Sequence, residues 1–125
     1  MTLRTFDDPT ELAAAAADHI AAAIHFLGGP ATLGLAGGGT PKATYAELAR
    51  RDVAWEDVTM WLGDERWVAH HHPESNVGMV RGELVDRVNG QLLAPNHGIG
   101  DPNAAAAAYE TALGSAFIDR GDGPA

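Results

Sequence analysis

The chain has 125 residues and a formal net charge of −9, one domain's length with enough apolar residue for a folded core. The acidic balance excludes a general nucleic-acid binder and a protein that docks on anionic lipid. Cysteine is absent, which removes disulfides, thiolate metal sites, iron–sulfur clusters and a cysteine nucleophile. No basic region followed by an apolar run opens the sequence, so no signal peptide is read, and no apolar stretch is long enough to span a bilayer. A cytoplasmic protein is expected.

In chain order, Asp8-Pro9-Thr10 is a helix start, and Leu12, Ala16, Ile20, Ala23, Ile24 and Leu27 follow with helical spacing. Gly28-Gly29-Pro30 ends that helix. Thr32 to Ala36 reads as a buried strand, Gly37-Gly38-Gly39 as a loop, and Thr40 as the cap of a second helix with Pro41 in its first position. Val58 to Leu62 is a second strand, and Gly63 to Glu74 a polar loop. A third helix is predicted from Ser75-Asn76 to Val88, then a short extended piece over Gln91 to Ala94. Asp101-Pro102 starts a fourth helix carrying Tyr109, Leu113 and Phe117, and the tail from Asp119 to Ala125 is polar and glycine-rich. Strands alternating with helices predict parallel pairing by right-handed crossovers. The strands are few for such a sheet, so the 125 residues are expected to be the N-terminal part of one longer α/β domain.

Two segments carry chemistry. Gly37, Gly38, Gly39, Thr40 and Lys42 form a strand–glycine–helix junction of the kind that binds anions through backbone N–H groups and the helix dipole. The dinucleotide spacing fails where Lys42 replaces a glycine, and the nucleoside-triphosphate loop's Gly-Lys-Ser/Thr is missing. The loop therefore suits a single phosphate. Asp64-Glu65-Arg66 follows the second strand, where ligand crevices form in parallel sheets. Both segments should share one rim. Arg66 offers a bidentate anion contact, Asp64 a group that orients or accepts, and Arg81 a further cation near the rim. Each also has a plain reading, as a tight turn and as a solvated ion pair.

His70-His71-His72 with Glu74 supplies metal-type ligands, but neighbours in a loop do not converge easily on one ion, so a solvated loop is the better reading. His19 and His25 fall on the first helix, and His97 in a loop without an evident partner. Trp55, Trp61 and Trp67 read as packing residues.

Gly37-Gly38-Gly39-Thr40-Pro41-Lys42, then Trp55-Glu56-Asp57-Val58, then Trp61-Leu62-Gly63-Asp64-Glu65-Arg66-Trp67-Val68, then Ser75-Asn76 before a helix, resemble the 6-phosphogluconolactonases. The wider group includes glucosamine-6-phosphate deaminases, which carry tyrosine where this chain has Arg66, so the lactonase branch is favoured. The resemblance implies a parallel, Rossmann-like three-layer α/β sandwich, incomplete over these residues. It implies hydrolysis of 6-phosphoglucono-δ-lactone to 6-phosphogluconate in the oxidative pentose phosphate pathway, without cofactor or metal. Gly37, Gly38, Gly39, Thr40, Lys42 and Arg66 would bind the sugar phosphate and Asp64 would orient a catalytic group. The family's general-base histidine stands in a Gly-x-Gly-x-Asp-Gly-His segment; none of the six histidines here lies in one, and the isolated chain is expected to be inactive. The alternatives are a non-catalytic sugar-phosphate-binding module or remnant, and an amino-sugar-phosphate deaminase or isomerase. No nucleic-acid or membrane partner is expected.

Overall fold

Asp8 caps the first helix, accepting the Thr10 N–H at 2.9 Å, with Pro9 in the first turn where no N–H is needed. The helix, α1, runs Pro9–Leu27 and stops at Gly28, whose φ of +68° is the left-handed turn that glycine takes freely. The computed structural model describes residues 3–119. The predicted tail lies outside them, save for Asp119, which ends the last helix.

Three strands, β1 (Ala31–Leu35), β2 (Val58–Leu62) and β3 (Gln91–Leu93), form one parallel sheet in the order β1-β2-β3. Helix α2 (Gly39–Leu48) joins β1 to β2, and α3 (Asn76–Val80) leads toward β3. The chain is thus a Rossmann-like α/β unit, as predicted. Alternation along β1 and β2 turns Ala31, Leu35, Val58, Met60 and Leu62 to one face, where Tyr45 and Leu48 of α2 and Val77 and Val80 of α3 complete the buried core with α1's Ala17. Helix α4 (Pro102–Asp119) covers the other face: its Phe117 meets Trp61 edge-on, with ring centroids 5.7 Å apart.

Two helix boundaries and one side-chain environment differ from expectation. Helix α2 begins at Gly39 with Gly38 as its cap, so Thr40 is its second residue and Pro41 its third. Gly38 has φ +108° and ψ 164°, a conformation that lets the helix begin two residues before the predicted Pro41. The third helix leaves α geometry after Val80 and widens into a π turn over Arg81–Val85, short of the predicted Val88. Finally, Trp67 is 44% exposed rather than packed in the core.

Candidate functional site

Strands β1 and β2 end in register, Leu35 beside Leu62, and the Gly63 N–H donates to the Leu35 carbonyl at 3.2 Å. The glycine loop and the Asp64-Glu65-Arg66 turn therefore leave the sheet side by side. Buried Tyr45 of α2 reaches back to hold the loop's first residue, its hydroxyl accepting the Ala36 N–H at 2.8 Å. Burial pushes the Tyr45 phenol upward in pKa, an effect the Ala36 N–H opposes.

Glu65, for which sequence reasoning proposed no role, organises the turn. Its Oε1 accepts the N–H of Arg66 at 2.8 Å and of Asn76 at 2.6 Å. Its Oε2 accepts the Ser75 hydroxyl at 2.8 Å and the Val77 N–H at 3.0 Å. Ser75 in turn caps α3 through the Gly78 N–H at 3.1 Å. Burial raises the Glu65 pKa, but the four donors outweigh it and hold the carboxyl below its ordinary value. No local pattern in the sequence reports this role, because Glu65 stands eleven residues before the helix whose positive end it faces.

Asp64 acts on Asn76. The Asn76 Nδ2 donates to the Asp64 carbonyl at 3.1 Å and to its Oδ1 at 3.2 Å. The Asn76 side chain occupies the place where a Cβ on Gly37 would stand. Gly37 is therefore needed for close approach.

Between these pieces opens a cleft of about 640 Å³, with Gly38, Gly39 and Lys42 along one wall and Arg66, Ser75 and Asn76 among the residues facing them. Gly82 and Glu83 of the π turn also reach it. Gly37, Thr40 and Asp64 are not among the lining residues. Thr40 instead gives its carbonyl to the Thr44 hydroxyl at 3.1 Å.

The cations sort clearly. Arg50 and Arg51 pair with Glu47, and Arg51 also with Asp18 at 2.6 Å. Arg81, expected near the rim, pairs with Asp86 at 3.4 Å and does not line the cleft. Arg87 donates to the Gly82 carbonyl, and Arg4 lies over Phe6. Among the described residues, the Lys42 ammonium and the Arg66 guanidinium have no such partner, and both line the cleft. The N-terminus of α2 at the same wall carries no side-chain cap, whereas Asp8 caps α1 and Ser75 caps α3. Unpaired N–H groups, two unpaired cations and a concave wall are the ingredients of an anion site.

A second cleft of about 440 Å³ lies across the turn, between Asp64, Arg66 and Trp67 on one side and α4 on the other. Arg66 thus borders both spaces. Tyr109 of α4 accepts the Leu62 N–H at 2.8 Å and lies within 3.1 Å of the Leu93 carbonyl. His97, which lacked a predicted partner, has three. Trp67 stacks on its ring at 4.7 Å, its Nε2 lies 3.1 Å from the Arg66 carbonyl, and its Nδ1 lies 3.0 Å from His70 Nε2. The run His70-His71-His72 does not converge with Glu74: His72 accepts the Glu74 backbone N–H, and only His70 turns toward His97. His19 and His25 are exposed on α1 and do not line either cleft.

The family described as glucosamine-6-phosphate isomerases/6-phosphogluconolactonase matches residues 7–123. The chain is 37% identical over 101 residues to a 6-phosphogluconolactonase of Synechocystis sp., covering 78% of this chain and 42% of that protein. It is 34% identical over 116 residues to a glucosamine-6-phosphate deaminase of Rhodococcus jostii, covering 86% and 44%. The solved 6-phosphogluconolactonase of Trypanosoma brucei superposes with a TM-score of 0.76 at 27% identity, over 94% of this chain and 50% of that one. The chain spans less than half the length of these two curated relatives.

Proposed function

The chain belongs to the glucosamine-6-phosphate isomerase/6-phosphogluconolactonase family, and from that premise we propose that it supplies the phosphate-binding part of a single lactonase-like domain. The substrate is 6-phosphoglucono-δ-lactone, hydrolysed to 6-phosphogluconate. The observation that carries this reading is the pairing of Lys42 and Arg66, unpartnered cations, with the uncapped start of α2 in one cleft. Arg66 in place of the deaminases' tyrosine favours the lactone over an amino-sugar phosphate.

In this reading the phosphate sits against the Gly38–Gly39 backbone at the start of α2, with Lys42 and Arg66 neutralising its charge. Phosphate binding fixes the sugar; it does not itself lower the chemical barrier. Water attacks the lactone carbonyl carbon, a general base takes the water's proton, and the ring C–O bond breaks as its oxygen is protonated. None of the chain's six histidines is assigned as that base. Asp64 is a positioning residue: it holds Asn76, and with it the rim beside Gly37.

Calorimetric titration of the 125-residue chain with 6-phosphogluconate and with gluconate tests the binding step. Phosphate-dependent binding is expected, weakened by Arg66→Ala and by Lys42→Ala. A charge-assisted bond of this kind contributes about 1.5–3 kcal/mol. Equal affinity for gluconate, or affinity indifferent to both substitutions, rejects the assignment. Turnover of the lactone above its spontaneous hydrolysis separates catalysis from binding alone.

A further inference from the structure

We propose that His70 and His97, beside Glu65, form a site for a divalent transition-metal ion of the Zn2+, Ni2+ or Cu2+ class. One ligand atom from each of these three residues lies within 4.8 Å of the others. His70 also lines the cleft assigned to the phosphate, so the metal site borders that cleft, but it does not depend on phosphate binding there.

The hydrogen bonds set the tautomer of His97. Its Nε2 lies 3.1 Å from the Arg66 carbonyl, which only accepts, so that nitrogen carries the proton. Its Nδ1 is left with a lone pair aimed at His70 Nε2, 3.0 Å away. A backbone carbonyl on the outer nitrogen is the support that metal-ligating histidines have. The Trp67 ring, stacked 22° from parallel, fixes the plane of the imidazole. Two nitrogens on a tetrahedral zinc, each at about 2.0–2.1 Å, stand about 3.3 Å apart. The pair therefore needs to open by a few tenths of an ångström, and the rings to tilt until both lone pairs meet on the ion instead of along the line between the nitrogens.

Glu65 has two donors on each oxygen, so it contributes a fixed negative charge beside the ion. Water completes the coordination, since His70 is exposed. Imidazole ligands select borderline metals over Mg2+ and Ca2+, which require a shell of oxygens. The bound ion ties the loop after β2 to the segment before α4, residues 27 positions apart, and steadies the Arg66 backbone at the border of both clefts.

The test is thermal unfolding of the metal-stripped, tag-free 125-residue chain during titration with Zn2+, with Mg2+ as comparison. Zn2+ should raise Tm saturably at one equivalent, and Mg2+ should not. His70→Gln and His97→Gln should each weaken Zn2+ binding by at least about tenfold, while His71→Gln and His72→Gln leave it unchanged. No saturable shift, a shift that survives either of the first two substitutions, or one lost with His71 or His72, overturns the site. Should His97→Gln fail to fold, imidazole 15N shifts of the unsubstituted chain decide. Zn2+ must move the resonances of His70 and His97, and movement confined to other rings rejects the proposal.

Discussion

Glu65 accepts the Asn76 N–H at 2.6 Å, so a side chain from the turn after β2 caps the helix that begins eleven residues later. The same carboxylate takes the Ser75 hydroxyl and the Val77 N–H. One residue thereby ties the turn carrying Arg66 to the helix start beside it, both facing the wall of Gly38, Gly39 and Lys42. The arrangement combines a hydrogen-bonded cap with a negative charge at the positive end of a helix.

Glu65→Ala leaves those donors without an acceptor in a half-buried place. A lost cap and orphaned N–H groups together predict destabilisation of about 2–3 kcal/mol. Urea unfolding in chelator-containing buffer measures it. Glu65→Gln keeps the shape but loses the charge and must offer an N–H where an acceptor is needed, so it should recover only part of the loss. A midpoint for Glu65→Ala equal to that of the parent chain would show that the cap contributes nothing.

Gly37 and Asn76 give a second prediction. A Cβ on Gly37 would overlap the Asn76 amide, and Asn76 is tethered by Asp64 and Glu65 and cannot retreat freely. Gly37→Ala should cost about 1–3 kcal/mol by overpacking. In an Asn76→Ala background the same change should cost clearly less, the coupling expected of residues in contact. Gly39→Ala meets nothing within 4 Å and should shift stability by less than about 0.5 kcal/mol. Equal effects at Gly37 and Gly39 would contradict the close approach.

For Arg66 the geometry of the group matters beside its charge. Its guanidinium has no protein partner among the described residues and is free to form two parallel bonds to a phosphate. Arg66→Lys keeps the charge and loses the fork. It should bind 6-phosphogluconate more weakly than the parent chain yet more tightly than Arg66→Ala, and added salt should weaken the Lys variant as well. Calorimetry at two ionic strengths checks the order. Identical affinities for Arg66→Lys and Arg66→Ala would mean that the charge at this position does not reach the ligand.

The contrast between what was readable and what was not follows sequence separation. Pro9 beside a capping Asp8, Ser75 ahead of α3 and the alternating residues of β2 are local patterns, and the structure follows them. The shared rim was readable too, because parallel strands put both following loops at one end of the sheet. The Glu65 cap and the His70–His97 pair join residues 10 to 12 and 27 apart, and no periodicity reports such partners. Thr40 failed as a cap for a different reason. The left-handed freedom of Gly38 starts the helix before the hydroxyl is reached, and leaves the first turn open.

Tyr109 provides a pH test of how α4 is held. Its hydroxyl accepts the Leu62 N–H at 2.8 Å and lies 2.8 Å from the Leu62 carbonyl and 3.1 Å from the Leu93 carbonyl, one of which takes its proton. Burial raises its pKa, and the Leu62 N–H only partly offsets this. An unfolded tyrosine ionises near pH 10, about its ordinary value. The folded phenol resists ionisation, so its contribution to stability is complete below that pH and is lost as pH rises through the raised folded value. Denaturant midpoints at pH 8 and at about pH 10.5 should therefore fall more steeply for the parent chain than for Tyr109→Phe. Tyr45, raised for the same reason, remains in both proteins and leaves a common residual slope. Parallel losses in the two proteins would show that Tyr109 ionises alike folded and unfolded, and that its contacts with β2 and β3 do not favour the neutral phenol.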